Sequence, residues 1–183
     1  MDQLLRTANT RTRLIVSMAV MVLAALLILA CGDSSANTGT ITNSNTPSTS
    51  GSGGSQHFKV GDQVKVGDTW IVTVNSVKTN QGNDIVQPKS GNTFLIIDIT
   101  LKNVSSQEQT VSSLLQFTLQ DSTGQKYDEA ITGVGTTPDG KVAANSQLRG
   151  QLGYEVPKAQ HQFTLAFEAD ITSQGQTIWD LSV

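Results

Sequence analysis

The sequence predicts an all-β fold, an antiparallel sandwich of about seven to nine strands, and three observations predict it. From residue 57 onward apolar side chains alternate with period two and almost never with period 3.6. Turn signals rich in Gly, Asn, Asp and Ser interrupt that alternation at short intervals. The region that alternates, about 127 residues, is long enough to bury roughly two thirds of its unfolded surface, so folding requires neither disulfide nor metal.

In chain order, the first element is an export signal. Arg6, Arg11 and Arg13 precede an apolar run from Leu14 to Leu29 broken only by Ser17, and small residues follow. That is a basic n-region, an apolar h-region and a small-residue cleavage site. Ile28-Leu29-Ala30-Cys31 resembles the lipobox of bacterial lipoproteins, although Leu29 is bulkier than the usual middle residue. The resemblance implies cleavage between Ala30 and Cys31 and a diacylglyceryl thioether on Cys31. Cys31 is the sole cysteine of the 183-residue chain, so it has no internal disulfide partner. An uncleaved membrane anchor is the competing reading, because such a run rises about 25 Å as a helix. Either reading carries everything after Cys31 across the membrane, since the arginines stay inside.

Residues 31–56 form the second element, a lipid-attached linker of Ser, Thr, Asn and Gly with one charge, Asp33. It has too little apolar surface to offset the entropy of ordering, so a flexible tether with a span of about 25 to 30 Å is expected. O-glycosylation of its Ser and Thr residues is the alternative use. Ser52 sits in linker composition, without the Gly-x-Ser-x-Gly of a nucleophile elbow.

Residues 57–183 form the third element, the sandwich. Short strands are expected near 58–66 and 125–127. Trp70, Val72 and Val74 share one face of a strand, and Leu95, Ile97, Ile99 and Leu101 share one face of another. Leu115, Phe117 and Leu119 repeat the pattern. Leu148, Leu152, Tyr154 and Val156 then oppose Gln147, Arg149, Gln151 and Glu155. Phe163, Leu165 and Phe167, and finally Trp179, Leu181 and Val183, complete the set. The only helix expected is a turn or two within 131–144. Strands of this number and turn spacing indicate a sandwich of the immunoglobulin class, here without its disulfide.

Four segments carry a further resemblance: Val66-Gly67-Asp68-Thr69-Trp70, the stretch from Lys89 to Asn103, the stretch from Phe117 to Tyr127, and Gly153-Tyr154-Glu155-Val156-Pro157. Together they resemble the telokin-like, immunoglobulin-like domain of unknown function of bacterial surface lipoproteins, a family similar to a secreted immunoprotective antigen. Ala143-Ala144-Asn145-Ser146 departs from the Pro-Gly pair usual there. The resemblance implies a surface sandwich and brings no established reaction.

Little in the chain points to catalysis. His57 and His161 lie about a hundred positions apart in polar surroundings, and a metal would need ligands that only folding could assemble. Asp128 and Glu129, adjacent on a strand, would point to opposite faces, wrong for an acid–base pair or for calcium unless they sit in a loop. Asp98 shares a face with Phe94, Ile96 and Thr100, so it is either a partly buried carboxylate with a shifted pKa or a group that faces water or takes a structural hydrogen bond. Gly133-Val134-Gly135 lacks the third glycine of a dinucleotide loop, and Asn103-Val104-Ser105 is a coincidental glycosylation sequon.

The sandwich region holds nine Lys and Arg against thirteen Asp and Glu with no basic cluster, which argues against nucleic acid as a partner. The expected function is a non-enzymatic, cofactor-free binding module that engages an extracytoplasmic protein. The long polar loops 79–92 and 130–145 are the candidate contact regions, or else tolerated insertions. The alternative is a small-molecule or ion-binding lipoprotein, which requires a concave pocket between the sheets or under a loop.

Overall fold

The computed structural model describes residues 39–42, 56–170 and 175–183. Ala30, Cys31 and the signal peptide lie outside the described residues. Two five-stranded sheets form the sandwich. The first has the order β1-β3-β4-β5-β10, with β1 Thr40–Ile41, β3 Gln63–Val66, β4 Trp70–Asn80, β5 Asn92–Asn103 and β10 Gln147–Pro157. The second has the order β2-β12-β11-β7-β8, with β2 His57–Lys59, β12 Thr177–Ser182, β11 Gln162–Phe167, β7 Phe117–Asp121 and β8 Lys126–Tyr127. A small ribbon pairs β6 Gln109–Val111 with β9 Gly140–Val142. All pairings are antiparallel except β2 with β12, which is parallel. The strand number exceeds the expected seven to nine because several pairings span only two or three residues, too short for periodicity to mark.

Alternation accounts for the core. Val72, Val74, Leu95, Ile97, Ile99, Leu101, Leu152 and Tyr154 from the first sheet are buried with Phe58, Phe117, Leu119, Phe163, Leu165, Phe167, Trp179 and Leu181 from the second. Phe58 packs on Trp179 with ring centroids 5.9 Å apart, and Phe117 on Phe167 at 4.8 Å. Each fully buried aliphatic or aromatic side chain stabilises by about 1.5 to 3 kcal/mol.

Four expectations are corrected. The linker is not tether throughout: Thr40–Ile41 pairs with β3, Ile41 packs against the core and Gly39 is buried, so residues 39–42 belong with the sandwich. Leu115 does not lead into the Phe117 strand. It lies in α1, Ser113–Gln116, and is exposed, because Ser112 and Gln116 close a helical turn there: the Gln116 amide donates to the Ser112 carbonyl at 3.0 Å. No helix occurs among the described residues of 131–144, where β9 forms instead. Val183 follows β12 and its side chain is partly exposed, although its N–H still donates to the His161 carbonyl at 3.2 Å.

Candidate functional site

The sandwich is covered on one side by the two long loops, and the cause lies in β5. Phe94-Leu95-Ile96-Ile97 is apolar at every position, and Phe94 and Ile96 are buried although they face away from the core. A strand apolar on both faces needs cover on both. Loops 81–91 and 130–138 meet, where Asn83 Nδ2 donates to the Gly133 carbonyl at 3.3 Å. Thr132 lies against Gly153, the register partner of Ile96. A Cβ at Gly153 would stand 2.4 Å from Thr132 Cγ2, and one at Gly150 would stand 2.5 Å from the Pro138 nitrogen, so both glycines of β10 are required by the close passage of the loop.

The same loop occupies the free edge of β10. Ala130 N–H donates to the Gly153 carbonyl and Gln151 N–H to the Thr136 carbonyl, both at 2.8 Å, while Glu129 bridges to Tyr154. An edge strand of eleven residues left open would be a template for aggregation, so this cover is protective. Between these two attachments the chain bows outward through Gly133 and Gly135, which adopt left-handed φ of 66° and 73°. Beneath the bow, between β10 and α1, lies a cavity of about 610 Å³.

Its lining includes Leu114, Glu129, Ile131, Asp139 and Gln151. Leu114 and Ile131 are strongly exposed, at 73% and 86%. Both carboxylate oxygens of Glu129 and the Oε1 of Gln151 are closed off from solvent and have no hydrogen-bond partner. Burial pushes the Glu129 pKa upward, and the like charge of Asp139 adds to that. The Ser113 hydroxyl offsets this only in part, since it donates to Asp139 Oδ2 at 3.1 Å. Asp139 also accepts the Ser113 N–H at 2.6 Å. Burial raises its pKa, but bonds from Thr137 and Ser113 outweigh burial and hold it below the ordinary value.

The structure separates the other candidates. Asp98 is a structural carboxylate: Arg149 holds it through Nε at 2.9 Å and Nη2 at 3.1 Å, and Asn75, at the bulge where β4 slips between Val74 and Ser76, donates to it at 2.7 Å. The Arg149 hydrogen bond is the main cause of its lowered pKa. His57 pairs with Asp180 at 2.7 Å on the surface, and His161 is exposed. Asp128 is exposed while the Glu129 carboxylate is buried, so the two point apart. Asn103 is fully buried, and its Nδ2 donates to the carbonyls of Gln107, Val142 and Ala143, so the sequon is a loop clasp. Among the described residues, no group of three His, Cys, Asp or Glu could hold a metal ion. Sequence reasoning missed Glu129 and Gln151 as partners in one cavity. Gly133 and Gly135 were a usable signal, since two glycines in a long loop mark a backbone that bows.

The fold and the cavity define a loop-covered β-sandwich domain. The chain belongs to the family described as domain of unknown function DUF4352, whose model matches residues 58–178. Among solved structures it is similar to ycdA of Bacillus subtilis, a candidate lipoprotein, at 16% identity and a TM-score of 0.56. That match covers 64% of this chain and 38% of ycdA, so the chain spans well under half of that protein. It is similar also to yjhA of Bacillus subtilis, at 19% identity and a TM-score of 0.54, over 69% of this chain and all of yjhA. A third similarity is to MPT63, a secreted protein of Mycobacterium tuberculosis, at 12% identity and a TM-score of 0.44, over 63% of this chain and 85% of that one. Among curated proteins none matches.

Proposed function

We propose that this chain is a membrane-anchored extracytoplasmic lipoprotein, acylated on Cys31, whose telokin-like sandwich is a non-catalytic binding module. The Ile28-Leu29-Ala30-Cys31 stretch supports the anchor, and so does the lipoprotein designation of ycdA. The cavity beneath residues 129–139 carries the binding reading. It falls within the size range of small-molecule sites and has apolar walls with a few polar groups. Its concavity favours a small ligand, while exposed Leu114 and Ile131 at its lining would equally receive a protruding side chain of an extracytoplasmic protein. A reaction has little support: Ser113, the cavity's serine, is locked to Asp139, and both histidines are on the surface.

Two measurements test this reading. Cys31→Ala should leave an uncleaved precursor or release soluble protein, and a mature, membrane-bound, acyl-free product would refute the anchor. For the site, a mixed set of neutral, anionic and cationic fragments added to the full-length protein should shift the methyl resonances of Leu114 and Ile131. A set that shifts only residues remote from residues 129–139 would remove the cavity as the binding site.

A further inference from the structure

We propose that the cavity takes a primary ammonium on a short aliphatic stem, with the Glu129 carboxylate as counter-charge and Leu114 and Ile131 flanking the stem. This rests on the reading of the cavity as the ligand site and names the chemistry it selects.

The argument starts from what Glu129 lacks. A carboxylate withdrawn from water is normally paired or hydrogen-bonded, because its desolvation is otherwise uncompensated. Here neither oxygen has a partner, and the charged group that acts on it most, Asp139, has the same sign. Gln151 contributes a further unpaired acceptor to the same lining. An anion or a neutral acceptor would worsen this arrangement, whereas a cationic donor satisfies it. A hard metal ion wants six or more oxygens and several carboxylates, and no such cluster exists among the described residues. A compact ammonium with a hydrocarbon stem needs one carboxylate, a few acceptors and apolar flanks, which is the composition found. The oxygens are closed off from solvent, so the ammonium reaches them only if the roof yields. That roof is the bow at Gly133 and Gly135, held by the two 2.8 Å backbone bonds at its ends and crossed by the single longer tie from Asn83.

The test is a matched series, butylammonium, butanol and butyrate, titrated into the full-length protein in detergent micelles while the Leu114 and Ile131 methyls are followed by NMR. Butylammonium should shift both saturably, at least tenfold more tightly than butanol, and butyrate should not bind. Its affinity should rise with pH as Glu129 ionises, with Asp139 and Tyr154 the other titratable groups that act on it. Glu129→Gln should weaken butylammonium at least tenfold yet raise the thermal midpoint, since it removes an uncompensated buried charge. A residue with a merely structural role would lower the midpoint instead. Ile131→Ser, at an exposed position that folding does not need, should weaken binding severalfold. An Nα-acetyl-lysine amide arm separates a protein lysine from a free amine as the source. Butanol binding as tightly as butylammonium would overturn the ammonium while leaving the cavity a site, as would an unchanged affinity in Glu129→Gln. No shift from any of the three, with other fragments still clustering at residues 129–139, would overturn the ammonium alone. No cluster from any fragment would overturn both.

Discussion

At the scale of single residues, the polar groups of this domain act mostly as fasteners, and Asp121 shows how. One of its oxygens accepts from Thr123 N–H at 2.8 Å, Thr123 Oγ1 at 2.7 Å and Gln125 N–H at 3.1 Å, while the other accepts from the Tyr127 hydroxyl at 2.7 Å. These bonds, led by that from the Thr123 hydroxyl, favour the charged form and push its pKa down to about 2. Burial, helped by Asp121, pushes Tyr127 up to about 12. A depressed carboxylate stabilises the fold fully above its unfolded value near 3.8 and loses that contribution as pH falls through about 2. Asp121→Asn should therefore lower the urea midpoint at pH 5 and differ progressively less from the parent as pH approaches 2. A difference that is constant across this range would mean that the charge contributes nothing. Glu129 has the opposite sign: its raised pKa leaves stability intact below the ordinary value of 4.5 and erodes it as pH rises through the folded value.

At the scale of elements, β1 is the piece that composition concealed. Ser, Thr, Asn and Gly surround it, and only Ile41 distinguishes Thr40-Ile41-Thr42 from the linker around it. Yet Ile41 reaches the core, and Gly39 fits where a Cβ would stand 2.4 Å from Val64 Cγ1, 2.7 Å from Thr177 Cγ2 and 3.0 Å from the Phe58 ring. A chain begun at Gln56 should still fold but lose about 1 to 2 kcal/mol, the burial of one partly covered isoleucine and the pairing it supports. Gly39→Val in the longer chain should cost about as much, because strand and side chain cannot both occupy that site. Urea titration checks both, and a shortened chain of undiminished stability would show β1 to be a passive attachment. The long strands were legible because half-buried sheets write their faces into the sequence with period two, as Leu148 to Val156 does. What was not legible depends on contacts distant in sequence. Leu115 matched the period of Phe117 and Leu119, but period alone cannot see a helical turn closed by Ser112 and Gln116. Phe94 and Ile96 were apolar on a face that alternation would leave wet, and the loops that cover them could be recognised only once both were in place. Glu129 and Gln151 come from different segments, and nothing local to either reveals the shared cavity.

At the scale of the whole molecule, the two sheets should unfold together, and the tryptophans report on both. Trp70 opens β4 in the first sheet and Trp179 lies in β12 of the second, and both are buried. Phe58 of the second sheet joins Val64, Val72 and Trp179 in one continuous core, so neither sheet keeps a buried face without the other. Denaturation should shift tryptophan emission to the red in one step that coincides with loss of the far-ultraviolet β signal. Leu152 tests that coupling best: it is fully buried in β10, opposite Ile97 in register, and it sits between Gly150 and Gly153, where the cavity loop crosses the strand. Leu152→Ala leaves a hole that a rigid sandwich cannot close, so it should cost about 2 to 5 kcal/mol, a large share of a typical domain stability of about 5 to 15 kcal/mol. If the sheets are one cooperative unit, the variant's urea midpoint falls with an unchanged slope, and fluorescence and circular dichroism still coincide. Two separated transitions, with Trp179 persisting after Trp70 is exposed, would show that the second sheet holds a core of its own.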